Sequence, residues 1–263
     1  MRYAEYAPSP RLAEVVDCYW ILEGHGTGTP EPIIPDGRVE IIIHYGVRFE
    51  RHHLDGRTEC QAPAMLVGQL LAPVSLGHNG LAGVAAIRLR PAAVRSVLRC
   101  SAAEVTGTFV DLDAIFGPID SLRERVALAE SDAARVRRLE EWLVGIVRNL
   151  PSPDIDAATG AILSSRGTVD LATVAAAAGI SLRQLERRFL TDVGMPPKTF
   201  ARITRLQAAL GRIAAGDSIA DAAYACGYYD QPHMTRDFGR LAATSPATWQ
   251  RHSGNLTPLF VAR

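Results

Sequence analysis

The run Ala175-Ala176-Ala177-Ala178-Gly179-Ile180-Ser181-Leu182-Arg183-Gln184-Leu185-Glu186-Arg187-Arg188-Phe189 carries the clearest structural signal in this 263-residue chain. Leu171, Val174, Ala175 and Ala178 recur at the spacing of a helix with one apolar face. Thr168 or Asp170 is placed to cap that helix. Gly179 then supplies the backbone freedom of a tight turn, and Ser181-Leu182-Arg183-Gln184 reads as a capping box that opens a second helix. On the second helix Leu182, Leu185 and Phe189 point inward, while Arg183 and Arg187, at i and i+4, share the outer face with Glu186. Gly194 fits a C-terminal cap. Two helices joined in this way form a helix-turn-helix.

The plan returns further along the chain. Gly227 lies 48 positions after Gly179, and each glycine follows an alanine four residues earlier, Ala175 and Ala223. Phe189 and Phe238 come next, each followed eight positions later by proline, Pro197 and Pro246. An aromatic (Phe200, Trp249) and an arginine (Arg202, Arg251) then occupy matching offsets. So many shared offsets mark two copies of one unit. In the second copy Ser218 to Asp221 opens the first helix, with Ile219, Ala222, Ala223 and Cys226 inward. Asp230 caps a helix that starts at Gln231, and Pro232 falls in the first turn, where a missing N–H is tolerated. Met234 and Phe238 pack, leaving Gln231, His233 and Arg236 toward solvent. The second turn is one residue longer than the first. Between the copies, Lys198 to Ala215 reads as one helix about 25 Å long. That length suits two reading helices in successive major grooves, about 34 Å apart.

Charge divides along the same line. The formal net charge is zero, yet residues 1–165 hold 16 Lys+Arg against 21 Asp+Glu, and residues 166–263 hold 12 against 7. The basic half is the one with the repeat, as a phosphate-facing domain requires. Asn149-Leu150-Pro151-Ser152-Pro153-Asp154 is the natural connection between the halves. We place a regulatory domain at 1–150, a linker at 151–160 and the double helix-turn-helix domain at 161–254. In the first part, Val39-Glu40-Ile41-Ile42-Ile43-His44-Tyr45 follows the turn Pro35-Asp36-Gly37 and reads as a strand. Ile87 and Leu89 share one face of another strand, with Arg88 and Arg90 on the opposite face. From Pro91 to Leu150 the pattern is helical, with a capping box at Ser121-Leu122-Arg123-Glu124 and apolar Val136, Leu139, Leu143, Val147 and Leu150. The fold class is therefore α+β: a β-rich N-terminal domain with a helical appendix, then an all-α domain whose two units are joined by a long helix.

The C-terminal region resembles the DNA-binding domain of the AraC/XylS family of bacterial transcription regulators, over about residues 160–252. The resemblance lies in Ala175 with Gly179, Leu185-x-Arg187-x-Phe189, the long central helix, Gly227-Tyr228, Arg236-x-Phe238, Ser245-Pro246 and Trp249-x-Arg251. Pro232 and His233 stand where small polar residues are commoner, and Gly239-Arg240-Leu241-Ala242 is less basic than usual. The resemblance implies base contacts from Arg183, Glu186 and Arg187 in the first unit and from Gln231, His233 and Arg236 in the second. Arg pairs with guanine O6 and N7, Gln with adenine, and Glu accepts from cytosine N4. Against this stands the plainer reading that these are solvated helix residues. The N-terminal part resembles the family's sensor regions through Val16-Asp17-Cys18-Tyr19-Trp20, Ile34-Pro35-Asp36-Gly37 and Arg88-Leu89-Arg90-Pro91. That implies a cupin-like regulatory domain and names no ligand.

Other chemistry is sparse. Cys18, Cys60, Cys100 and Cys226 form no CxxC pair and read as ordinary thiols in a reducing compartment. His44, His52 and His53 lack the partners a metal site needs, so neither metal nor cofactor is expected. No Walker, GxSxG or HExxH motif occurs, and no catalytic residue is expected. No apolar run is long enough for a membrane span, and the first residues lack the core of a signal peptide. Trp20, Tyr19 and Tyr45 line an effector pocket on one reading and pack the core on the other. Arg88 and Arg90 bind an anionic effector on one reading and face solvent from an edge strand on the other. The expected protein is a cytoplasmic, nucleoid-associated regulator whose partners are double-stranded DNA, a small-molecule effector, RNA polymerase and a second copy through the N-terminal domain. The alternatives are an enzyme in residues 1–150 localised by the helix-turn-helix domain, and a DNA-binding protein whose N-terminal domain serves only for assembly.

Overall fold

Along Val39–His44 side chains alternate between two faces, and all six residues are buried. Val39, Ile41 and Ile43 join one apolar cluster, whereas Ile42 joins a second on the opposite side of the sheet. A strand buried on both faces must be covered by two layers, and the computed structural model, which describes residues 1–252, has both. Its strands are β1 (Arg2–Tyr6), β2 (Val16–Thr27), β3 (Glu31–Ile33), β4 (Val39–His44) and β5 (Glu50–His52). They continue with β6 (Thr58–Cys60), β7 (Ala64–Val67), β8 (Val74–Gly77), β9 (Asn79–Leu89) and β10 (Phe109–Asp111). Six form one sheet in the order β1-β2-β9-β4-β7-β10, and four form a second in the order β3-β8-β5-β6. Neighbours in both sheets are antiparallel.

The second sheet covers one face of the first, with Trp20, Leu22, Ile42, Met65 and Val84 between them. Helices cover the other face: α1 (Val94–Val97), α2 (Leu112–Phe116), α3 (Asp120–Ala127) and α4 (Asp132–Ile146). Leu139 and Leu143 of α4 are fully buried against Tyr19, Ile21, Ile41 and Ile87. Truncating either leucine to alanine costs about 2–5 kcal/mol on general grounds.

Four expectations change here. β9 is a central strand between β2 and β4, so Arg88 points between the sheets rather than from an edge. Phe109–Asp111, inside the region expected to be helical, adds a strand beside β7. Helix α3 starts at Asp120 with no side-chain cap, so the Ser121 capping box does not form. Helix α4 stops at Ile146, and Leu150 is 59% exposed.

The C-terminal region holds α5 (Pro153–Ser164), α6 (Leu171–Ala177), α7 (Leu182–Asp192), α8 (Pro197–Ala214), α9 (Ile219–Ala225), α10 (Gln231–Leu241) and α11 (Pro246–His252). Most of the segment expected as a linker, 151–160, is thus the start of α5. Pro153 sits at a tolerated first-turn position, and Ile155, Ala158 and Ile162 face the C-terminal core. Residues 253 and 254, the expected end of the domain, lie outside the described residues.

Local signals in the repeat work as read. Asp170 accepts from Thr173 N, Ser181 and Gln184 form a reciprocal capping box, and Ser218 and Asp230 cap α9 and α10. Gly179 and Gly227 take φ of +68° and +70° in the two turns, a conformation that glycine adopts without steric cost. Leu182 departs from the inward face and is 41% exposed.

Candidate nucleic-acid interface

Helix α8 is the axis of the C-terminal domain. Phe200, Ile203, Leu206, Leu210 and Ile213 line its buried side, and its 18 residues span about 27 Å. Phe189 of α7 packs on Phe200 with ring centroids 5.6 Å apart, which fixes the first unit against α8. At the other unit, Ala222, Ala223, Met234 and Phe238 close the same core.

Seven arginines of this domain fall into two groups. Arg188 donates to Asp154 at 2.7 Å, Arg202 to Asp237 at 2.7 Å, and Arg205 to the Gly167 carbonyl at 2.6 Å. Arg212 pairs with Asp217 at 2.5 Å. Arg188 ties α7 to α5 and Arg202 ties α8 to α10, while Arg205 holds the loop after α5 and Arg212 the turn that follows its own helix. Arg183, Glu186 and Arg187 are exposed on α7 and hold no ion pair among the described residues. Gln231 and Arg236 are exposed on α10, with Arg236 Nε on its own helix at the Pro232 carbonyl, 3.3 Å. His233 is half-buried, its ring edge-on to Tyr228 at 5.3 Å. The six predicted contact residues therefore lie on the second helix of each unit, five exposed and His233 partly packed.

Two exposed aromatics were missed from sequence. Tyr224 on α9 and Tyr229 in the second turn are 87% and 93% exposed. Ring-sized apolar surface so fully open beside a candidate contact helix is a signal that residue-by-residue pattern reading passes over.

The N-terminal domain grips the first unit. Arg95 pairs with buried Asp192 at the end of α7 at 3.0 Å. Thr106 Oγ1 donates to the Gly194 carbonyl at 2.7 Å, and Ser101 Oγ to the Thr191 carbonyl at 3.4 Å. Arg90 donates to both carboxylate oxygens of Asp156 on α5, at 2.9 and 3.0 Å. Arg90 thus joins the two domains; it lies past the end of β9, where the strand's alternation no longer places it.

A second candidate site lies between the sheets. It is a cavity of about 60 Å³ with Trp20, Glu40, His44, Phe49, Gln61 and Val84 among its lining residues. Glu40 is 8% exposed and accepts from Trp20 Nε1 at 2.9 Å and Arg88 Nε at 3.0 Å. Burial works against the Arg88 charge, but Glu40 and Asp36 outweigh it and raise its pKa. Burial pushes His44 down to about 4, against the opposing bond to Gln61, so its ring is neutral near pH 7. Of the residues expected at an effector pocket, Trp20 lines this cavity, Arg88 stands behind Glu40, and Tyr19 is buried in the core on the other face of the sheet. Tyr45 does not reach the cavity: its hydroxyl donates to Glu23 at 2.7 Å and its ring lies under Arg135, 4.2 Å away.

Residues 174–252 match the family model described as a helix-turn-helix domain. The C-terminal unit is an AraC-family helix-turn-helix domain. Residues 4–111, which hold the cavity, match the family model described as a domain of unknown function. The chain is 35% identical over 80 residues to the HTH-type transcriptional regulator MtrA of Neisseria gonorrhoeae. That stretch covers 30% of this chain and 27% of MtrA, so the match spans about a quarter of the length of that relative. Among solved structures, ToxT from Vibrio cholerae is similar over 88% of this chain and 98% of its own, with a TM-score of 0.51 at 11% identity. An apo ToxT variant is similar over 89% and 97%, also with a TM-score of 0.51 and 11% identity. At that identity the likeness concerns the fold: a β-rich domain followed by the helical AraC-family domain.

Proposed function

We propose that the chain is a sequence-specific DNA-binding transcription regulator whose two helix-turn-helix units enter successive major grooves of one duplex. The observation that carries this reading is the sorting of arginines. Those facing the interior are spent on carboxylates or a carbonyl, while Arg183 and Arg187 stand exposed on the outer face of α7 and hold no ion pair among the described residues. Exposed arginines on a second helix, capped by Ser181 and braced by α8, are positioned to reach guanine edges. Gln231 and Arg236 supply the corresponding polar face on α10, and His233 adds a ring edge. Together with Glu186 these are the proposed base contacts.

The N-terminal domain, in this reading, senses a small molecule and sets the posture of the first unit. It holds α7 from behind, through Arg95–Asp192 and Thr106–Gly194, and so leaves the outer face free. Selection of duplexes from a random pool by the full chain tests the reading. The expected result is a motif with two conserved segments about one helical turn apart. Enrichment of no motif, with binding that depends on salt alone, contradicts it.

A further inference from the structure

The segment Ile33–Arg38 has two working faces. Ile33, Asp36 and Arg38 line the cavity between the sheets. Ile34 belongs to the core of the C-terminal domain, and the Pro35 carbonyl accepts from Gln207 Nε2 of α8 at 2.8 Å. Gly37, at φ +76°, lies so close to α8 that a Cβ there would stand 2.9 Å from Phe200 Cε2. Cavity and α8 are therefore separated by one strip of chain, packed on both sides.

The cavity's chemistry narrows its occupant. Most of the lining is apolar, from Trp20, Leu22, Ile42, Phe49, Val84 and Phe109 among others. Glu40 is paired with Arg88 at 3.0 Å and Arg38 with Asp17 at 3.4 Å, while Asp36 accepts from the Arg38 backbone N–H at 3.0 Å and lies in the field of Arg88. An anionic occupant has no unpaired cation to meet among the described residues, and a cation would be desolvated against a largely apolar wall. One polar atom is left over. His44 is 8% exposed, its Nε2 lies 3.1 Å from Gln61 Oε1, and its Nδ1 has no partner among the described residues. With Nε2 donating to Gln61, Nδ1 presents a lone pair. Buried polar atoms without a partner are rare in folded proteins, and a cavity wall is where an occupant supplies one. The volume of about 60 Å³ is several times the roughly 10–15 Å³ that one water needs, so the occupant is small.

We propose that this cavity binds a small, uncharged, largely apolar molecule that donates one hydrogen bond to His44 Nδ1, and that the Ile33–Arg38 strip carries its occupancy to α8. The proposal rests on the reading of the chain as a regulator and adds to it a ligand class and a route. A molecule pressing on Ile33 or Asp36 moves backbone that Gln207 and Phe200 hold from the other side. Because both units pack on α8, that displacement changes their posture together.

The test uses the full chain with 2-propanol, acetone and acetate, three probes of similar small size. 2-Propanol donates a hydrogen bond, the ketone only accepts, and the carboxylate is charged. Binding is read from the ¹⁵N resonance of His44 Nδ1 and from Trp20 fluorescence, and duplex affinity is measured with each probe at saturation. 2-Propanol is expected to bind about tenfold tighter than the ketone, the worth of roughly one neutral hydrogen bond, and to move the Nδ1 resonance. The carboxylate should not bind. Duplex affinity should change at least about threefold with 2-propanol, and Gln207→Leu should remove that change while His44 still registers the probe. Equal binding of alcohol and ketone, no binding of the alcohol, or an unmoved Nδ1 resonance overturns the ligand class. Unchanged duplex affinity with the cavity filled, or a change that survives in Gln207→Leu, overturns the route. If no duplex is bound at all, the regulator reading and the route fail together, while the His44 resonance still decides the ligand class.

Discussion

Gln207 Nε2 donates to the Pro35 carbonyl at 2.8 Å in a buried seam, so the helix joining the two helix-turn-helix units is bonded to the segment whose Ile33 and Asp36 line the N-terminal cavity. Gln207 is 2% exposed, on the face of α8 otherwise occupied by Phe200, Ile203 and Leu210. A glutamine so placed is retained where it has a specific partner.

Replacing it should loosen the seam. Gln207→Leu keeps the bulk but leaves the Pro35 carbonyl without this donor, at a cost of about 1–3 kcal/mol. Urea unfolding should show a lower midpoint, and amides of residues 33–38 should exchange faster with solvent. An unchanged midpoint and unchanged exchange mean that the bond holds nothing.

Gly37 should be equally intolerant of a side chain. Alanine there meets an unfavourable positive φ and the Phe200 ring at 2.9 Å, so Gly37→Ala is expected to cost about 1–3 kcal/mol. Phe200→Leu on top of it should cost less than the two changes summed, because removing the ring edge relieves part of the clash. Strict additivity in this double-mutant cycle would show that the two groups do not press on one another.

Two neighbouring arginines should part company. Arg188 is bonded to Asp154, whereas Arg187 is exposed and without an ion pair among the described residues. Arg188→Ala should lower thermal stability and leave base preference intact. Arg187→Ala should leave stability near its starting value and relax discrimination at one base pair by about 1–3 kcal/mol. If Arg187→Ala instead weakens all duplexes alike and lowers the salt slope by about one, its contact is with phosphate.

Stability should fall with acid in a way that His44 explains. Burial holds its folded pKa at about 4, with Arg48 and His78 also disfavouring the charge, while an unfolded histidine titrates near 6.5. The contribution is fully present above about pH 6.5 and is lost as pH falls through about 4, amounting to roughly 3 kcal/mol. A His44→Gln variant, compared with the parent by urea unfolding from pH 7.5 to 4.5, should show a shallower loss. Parallel curves would place the acid sensitivity elsewhere.

Much of this architecture is legible in the chain. The paired glycines, the Ser181–Gln184 box and the caps at Asp170, Ser218 and Asp230 are local devices, and each acts within four residues of itself. Helical spacing of Phe200, Ile203, Leu206, Leu210 and Ile213 likewise reports one buried face. What local pattern does not carry is pairing across distance. Val39–His44 reads as a strand, but nothing in it tells that β9 lies beside it and turns Arg88 inward onto Glu40. Arg90 and Asp156, or Gln207 and Pro35, meet only because two domains dock. Pro151 and Pro153 read as a linker because proline breaks helices, yet Pro153 at the start of α5 is the position where a helix tolerates it. Leu182 was placed inward by periodicity, whereas the first turn of α7 projects beyond the core.

One chain should read two successive major grooves. Methylation protection of guanine N7 on a selected duplex, footprinted with the parent protein, Arg183→Ala and Arg236→Ala, tests it most directly. Two protected segments are expected on one face about one helical turn apart, with Arg183→Ala opening one and Arg236→Ala the other. A single protected segment, or the same segment opened by both variants, would contradict two-groove reading.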